Sequence, residues 1–513
     1  MKTVNNKYES FFDTDHLKTN LKSRAMRGAG ATIFANAFSF FVHFFSTIIL
    51  ARLLTPIDFG LITMVTTFSL LLQNFGGNGF TEAIIQKEDI NHKMISTLFW
   101  VNGAIMSVLT ILLILMAPFL AWFYNSPQLK TITVGVAISI IAAGMSTIHM
   151  AILRRNMQFY LTSGIEVAAR TLSILVAIIL AWTGWGYWAL VANIVIYPLV
   201  VAISGWLFCG WRPGKRGPFR EILPILKFAL HIYGNFTLNY FSRNIDKLLI
   251  GWRHGAQPLG YYKKAYDLFA LPANQLISPL SNVALSALSR LVHEPEKYHR
   301  YYLNALSIIA FIGMPLSAML TLAGKDIILL VLGPQWTKAG EIFCYFGTSI
   351  GIMLIYGTQG WLHLSLGRPD RWLRWGIFEC FTTSAFFIVG LPFGAEGVAI
   401  GYSISFYILA APCLMYAGKP INLPLTHIIS STWRYFAAAL LAGLISFTIL
   451  YKINFIFSIF AHFNVFFRII IASTLCLTLY LIMIVLFYQS LNPIKQFLST
   501  VHQMLPGKFK LNH

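Results

Sequence analysis

Six polar side chains, Asn235, Asn239, Ser242, Arg243, Asp246 and Lys247, recur at steps of three or four inside sequence that otherwise reads as a membrane helix. That spacing puts them on one helical face. An uncompensated charge in hydrocarbon costs several kcal/mol, about 2.5 to above 10 by different methods, so such a face looks into a protein interior or a watery cavity. Arg243 and Asp246, at i and i+3, can neutralise each other and leave Lys247 as surplus positive charge. Arg243 then either meets phosphate or sugar, or only locks helices together through Asp246. Lys247 can also reach up to the outer interface.

Other residues extend this set. Asn36, Ser39 and His43 share a face of the first apolar stretch, and Lys263 opens a later one with Lys264 and Asp267. The candidate cavity set is therefore Asn36, Ser39, His43, Asn235, Asn239, Arg243, Asp246, Lys247 and Lys263. His43, with an ordinary pKa of about 6.5, can titrate with a proton gradient. Asp246 is the rival for ion coupling, and a hydrogen-bonded core histidine is the plainer reading of His43. Arg24, Arg27, Arg154, Arg155 and Arg290, with Arg368, stand at the inner ends of spans. Arginine forks grip phosphate in bidentate fashion, so these can capture phosphate at an inner mouth. Attraction to anionic lipid explains each one singly. Glu166 and Arg170, four apart, are expected to pair, and Gly76, Gly77 and Gly79 to bend or break the second helix.

The elements that position these residues are membrane helices. The 513 residues are 57% hydrophobic and 11% charged, against about 25% charged in soluble domains. The net charge of +20 is spread between apolar stretches, which fits membrane topology and not nucleic acid. The five cysteines stand singly, so neither disulfides nor a metal site is expected. There is no GxxxxGK[ST] loop for ATP. The outer loops offer mainly Asp58, Asp326, Glu341 and Glu396, too few acids for glycan polymerisation or ligation. Neither a catalytic residue nor a cofactor is expected.

Windows of roughly 20 residues, enough to cross about 30 Å of hydrocarbon, fall near 28–50, 59–83, 94–118, 130–152, 161–183 and 187–209. A second series falls near 228–251, 259–285, 301–323, 340–365, 375–391 and 397–416, with a further pair near 433–451 and 465–487. The fold class expected is an all-α polytopic membrane protein with 14 transmembrane helices. With the N-terminus inside, 26 of the 38 Lys and Arg fall in inner segments and nine in outer ones. That puts both termini in the cytoplasm. The expected parts are a basic N-terminal segment 1–27, a six-helix bundle 28–209, a basic linker 210–227, a second bundle 228–416, and two additional helices with a tail, 417–513.

The two bundles repeat. Leu50, Ala51, Pro56, Phe59, Gly60 and Leu61 line up with Ile250, Gly251, Ala256, Leu259, Gly260 and Tyr261 at an offset of 200, which also sets His43 on Arg243. Six helices followed by six in the same sense makes parallel repeats, an architecture whose substrate path lies between halves.

The run N-Y-F-S-R-N-I-D-K-L-L-I-G (239–251), with G-A-x-x-L-G-Y-Y-x-x-A-Y-x-L (255–268), resembles the seventh and eighth helices of bacterial polysaccharide flippases. These belong to the multidrug, oligosaccharidyl-lipid and polysaccharide exporter superfamily. I-L-A-R-L-L-T-P-x-D-F-G-L (49–61), I-I-Q-K-E-D-I-N-H (84–92) and T-L-F-W-V-N (97–102) resemble its colanic acid exporter branch. The chain departs from that pattern at Trp252, where the family often has a basic residue. The resemblance covers roughly 28–416. It implies a flippase of the bacterial plasma membrane that moves an undecaprenyl-pyrophosphate-linked oligosaccharide from inner to outer leaflet. Its implied partners are that substrate, membrane lipids, and a polysaccharide polymerase with its export machinery. A multidrug or cation exporter, a peptidoglycan-precursor flippase and a membrane polymerase or ligase are the alternatives.

Overall fold

A computed structural model describes residues 12, 21–77, 80–87 and 90–504, apart from some helical side chains. Every regular element among these residues is a helix. Ten helical stretches are long and apolar enough to cross a membrane, or eleven with the bent pair Pro334–Gly347 and Ile350–Ser365 taken as one span. The protein is thus a multi-pass, all-α membrane protein. The count by length and apolarity does not reach the expected fourteen. The helices over the expected seventh and eighth spans, which carry the polar seam, are not among those counted.

The chain forms two compact units, residues 1–260 and 261–513. The first contains α1 (Leu21–Leu53), α2 (Pro56–Gly77), α3 (Phe80–Gln86), α4 (His92–Phe123), α5 (Leu129–Arg155), α6 (Phe159–Trp182), α7 (Tyr187–Phe208), α8 (Leu223–Ser242), α9 (Ile245–His254) and the start of α10 (Ala256–Arg290). Local chemistry sets several starts. Thr55 caps α2 reciprocally with Asp58, whose Oδ2 accepts from the Thr55 hydroxyl at 2.7 Å and the Thr55 amide at 2.9 Å. Asn91 caps α4 by accepting from the Met94 amide at 2.8 Å. Helix α5 is the hub, packed against α4, α7, α2, α3 and α6. Its small residues allow that closeness: a Cβ on Gly144 would lie 2.8 Å from Met106 Cβ, and the Gly144 carbonyl accepts from Asn102 Nδ2 at 2.9 Å. Exposed Trp122, Trp182, Trp185 and Trp252 mark the ends of α4, α6 and α9 as an aromatic belt at one membrane interface.

Two expected spans are interrupted among the described residues. Over the second expected span, residues 78–79, including Gly79, lie outside the described residues, and Gly76 and Gly77 are helical. The seventh span breaks at Arg243 and Asn244, between α8 and α9. In the second unit, which holds the rest of α10 and α11 (Pro295–Leu332), the tenth span divides into α12 (Thr337–Gly347), α13 (Ile350–Gly357) and α14 (Gln359–Ser365), with a bend of 50°. Backbone groups at this bend find side-chain partners. Ser403 donates to the Tyr345 carbonyl at 2.8 Å, Tyr407 to the Thr348 carbonyl at 2.6 Å, and the Gly351 amide donates to Ser317 Oγ at 2.8 Å.

Beyond it lie α15 (Pro369–Gly390), α16 (Gly394–Gly418), α17 (Leu425–Tyr451), α18 (Asn454–His462), α19 (Val465–Tyr488) and α20 (Asn492–Met504). The additional pair, α17 and α19, packs on α11. Tyr435 shares a 2.9 Å hydrogen bond with Ser307, Tyr480 donates to the Phe311 carbonyl at 3.0 Å, and Arg468 pairs with Asp326.

The repeat signature also has a structural consequence inside the first unit. A Cβ on Gly60 would overlap the Ala256 carbonyl, and one on Gly260 would overlap the Pro56 carbonyl. These are the repeat-related residues, so the start of α2 and the start of α10 cross backbone to backbone, each glycine against the other helix's first residue. Backbone cannot step aside as a flexible side chain can. Gly60→Ala and Gly260→Ala should each destabilise the protein by about 1–3 kcal/mol or more. Gly103→Ala, with nothing within 4 Å of its Cβ, should be neutral or gain up to about 1 kcal/mol. Thermal melting of the three variants in detergent checks this.

Candidate functional site

The seam is built on α8 and α9, and α8 is fastened to α2. Tyr233, Phe236 and Tyr240 form a ladder on α8 with ring centroids 6.3 and 5.7 Å apart. Tyr233 donates to the Leu71 carbonyl at 3.0 Å and Tyr240 to the Thr67 carbonyl at 2.9 Å. The side chains of Asn235, Asn239 and Ser242 lie outside the described residues.

At the break, Asn244 does double work. Its Nδ2 donates to the Tyr240 carbonyl at 2.8 Å, and its Oδ1 accepts from Lys247 Nζ at 2.7 Å. One asparagine therefore closes α8 and neutralises part of the cost of burying the first-turn lysine of α9. Asp246, 2% exposed, lies in that same turn, where the amide ends favour a carboxylate. Lys247 is 7% exposed. Arg243 is exposed. The break thus sorts the seam: Asp246 and Lys247 are buried, and Arg243 is exposed.

On α1, Asn36 and His43 are exposed and Ser39 half-buried. On α10, Lys263 grips Asp267 with its Nζ 2.5 and 2.6 Å from the two carboxylate oxygens, the pairing its i, i+4 spacing allows. Lys264 beside it is buried.

The arginines expected at the inner mouth have unequal fates. Those of Arg24 and Arg27 lie outside the described side chains. Arg154 pairs with Glu166 at 2.8 Å, so that acid is held by Arg154 and not by the expected Arg170, which sits over the Tyr197 ring at 5.1 Å. Arg155 is buried, and one of its nitrogens donates to the carbonyls of Ile84 at 2.7 Å and Lys87 at 2.5 Å. It closes the C-terminal end of α3 and is taken up inside the protein instead of facing a phosphate. Arg290, at the end of α10, is exposed, while Arg368 pairs with Asp370 at 3.1 Å.

Sequence reasoning passed over the way the linker is held. Trp211 is fully buried and donates to His92 Nδ1 at 3.1 Å. The Gly214 and Gly217 amides donate to Ser96 Oγ at 2.9 Å and Thr97 Oγ1 at 2.7 Å. Residues 211–217 are thus a strap on the first turns of α4. The signal available was a buried-type tryptophan inside a basic stretch.

A protein-family model described as "Polysaccharide biosynthesis protein" matches residues 49–341, more than half of the chain. The chain belongs to that family. Among its curated relatives is the lipopolysaccharide biosynthesis protein WzxC of Escherichia coli K12, 23% identical over 416 residues, 77% of this chain and 82% of that protein. Another is the succinoglycan biosynthesis transport protein ExoT of Rhizobium meliloti, 22% identical over 360 residues, 70% and 72% of the two chains. Of solved structures, the lipid II flippase MurJ in an inward closed conformation superposes with a TM-score of 0.70 at 16% identity, over 91% of this chain and all of that one. An inward-facing multidrug resistance transporter of the MOP superfamily gives 0.56 at 15% identity, over 75% and 94%. The fold is therefore that of MOP-superfamily transporters.

Arg155→Met should strand buried carbonyls at the end of α3, at about 1–3 kcal/mol for each unpaired group. Arg154→Met removes a half-exposed pair and should cost within about 1 kcal/mol. Comparing the melting of the two variants tests the assignment.

Proposed function

We propose that the chain moves lipid-linked polysaccharide repeat units, oligosaccharides on an undecaprenyl-pyrophosphate carrier, from the inner to the outer leaflet of a bacterial plasma membrane by alternating access, with both termini cytoplasmic. Membership of the polysaccharide biosynthesis family supports this reading, as do relatives named for lipopolysaccharide and succinoglycan biosynthesis. The observation that carries it is the sorting at the helix break: Arg243 open, with Asp246 and Lys247 withdrawn beside it.

A carrier pyrophosphate is a multiply charged anion that a guanidinium binds through paired hydrogen bonds. Its glycan asks for hydrogen-bonding side chains such as Asn36, Ser39, Asn235, Asn239 and Ser242. Lys263, tied to Asp267, and Arg290, exposed at the other end of α10, are the further cations of this scheme. A cation exporter would want an acidic lining; here the open charge of the seam is positive. His43 and Asp246 are the residues by which a proton gradient would act.

Deleting the gene should make a lipid-linked oligosaccharide accumulate on the cytoplasmic side, and its glycan identifies the cargo. Arg243→Ala should lower surface polysaccharide about ten- to a hundredfold, the equivalent of roughly 1.5–3 kcal/mol for a charged hydrogen bond, with the amount of protein in the membrane unchanged. Arg243→Lys should restore part of it. Unchanged polymer in Arg243→Ala would remove this residue from the mechanism.

A further inference from the structure

Helix α18 joins the additional pair, following α17 at Tyr451 and preceding α19 at Val465. Six of its nine residues, Asn-Phe-Ile-Phe-Ser-Ile-Phe-Ala-His, are apolar, yet Phe460 alone is buried. At 3.6 residues per turn its positions divide into four sectors, one of them Phe457, 45% exposed beside the Tyr451 ring, with Ala461. Phe460 and Ile456 turn to a cluster formed by Ala323 of α11, Leu450 of α17 and Ala472 of α19. Asn454, Ser458 and His462, at i, i+4 and i+8, make a polar stripe. Between the two lie Phe455 and Ile459, 74% and 48% exposed, followed by Phe463 just past the helix end, 44% exposed.

The adjoining spans also expose apolar side chains, Phe447 on α17 and Phe466, Phe467 and Ile470 on α19, and the Tyr451 ring links Phe447 to Phe457 and Phe460 of α18. Those spans face lipid, and a connection of 13 residues between their ends keeps α18 at their level. A polar stripe beside an apolar one is the pattern of a segment lying in a membrane interface.

We propose that α18 is an interfacial mooring: it lies in the plane of the membrane at the boundary of headgroups and acyl chains, with Phe455, Ile459 and Phe463 in lipid and the Asn454, Ser458, His462 stripe toward water. The positive-inside orientation assigns it to the outer leaflet. Phe460, wedged among the ends of α11, α17 and α19, carries that position to the second unit and fixes the depth of the additional pair.

The test uses the full chain in phospholipid vesicles, its five cysteines replaced by alanine, with nitroxide labels on Asn454→Cys, Phe455→Cys, Ser458→Cys, Ile459→Cys, His462→Cys and Phe463→Cys in turn. The ratio of accessibility to oxygen over accessibility to a water-soluble nickel chelate should be several-fold higher at 455, 459 and 463 than at 454, 458 and 462. Equal ratios at all six sites would overturn the proposal, because the helix would then stand in water. So would exclusion of both reagents from 455, 459 and 463 with spin-spin broadening, because a second copy would then cover the face. Should the cysteine-free chain fail to fold, photolabelling of the unmodified protein with an apolar carbene reagent gives the same decision. Labelling of the peptide 453–463 at Phe455 and Ile459 supports the mooring, and its absence there with labelling of α19 refutes it.

Discussion

Hydrocarbon offers no water to a broken helix, and that constraint governs this structure more than any single contact. Helix ends and interruptions in these spans are accompanied by side chains that take over the freed backbone groups. Arg155 serves the end of α3, Asn244 the end of α8, and Ser403, Tyr407 and Ser317 the bend between α12 and α13. An unpaired buried group costs about 1–3 kcal/mol, so three such ends left bare would consume much of the stability of an ordinary domain. The breaks are kept because other parts of the chain were shaped to receive them.

The same economy explains the charges of the seam. Asp246 and Lys247 are buried, and both sit in the first turn of α9, where an acid meets amide ends and the lysine meets Asn244. Arg243, one residue before Asn244, has no such turn around it and remains open. A continuous helix would have placed all three on one face with similar exposure. Interrupting it separates two buried charges from an exposed guanidinium.

The sequence was legible where it obeyed a period. Helical class and the membrane setting follow from the apolar windows. The crossing of Gly60 and Gly260 was foreshadowed by their equivalence at an offset of 200. Spacing misled where partners come from another helix. Glu166 and Arg170 are well placed at i, i+4, but Arg154, on a different helix, reaches the acid first. Arg155 looked the same as Arg154 in the sequence. Only the position of α3 decides that one guanidinium is buried against carbonyls and its neighbour is half-exposed. The break in the tenth span was hidden because its partners, Ser403 and Tyr407, lie more than fifty residues away in the chain.

The central claim is that this fold carries an anionic, glycan-bearing lipid head through the membrane. Purified protein in vesicles that contain a fluorescent lipid-linked oligosaccharide in both leaflets tests it most directly, by the fraction of fluorophore that a membrane-impermeant reductant reaches with time. The account predicts that this fraction climbs past the half reached in protein-free vesicles toward completion, and that headgroup-free carrier lipid does not compete. A fraction that stays at one half with folded protein present would contradict it.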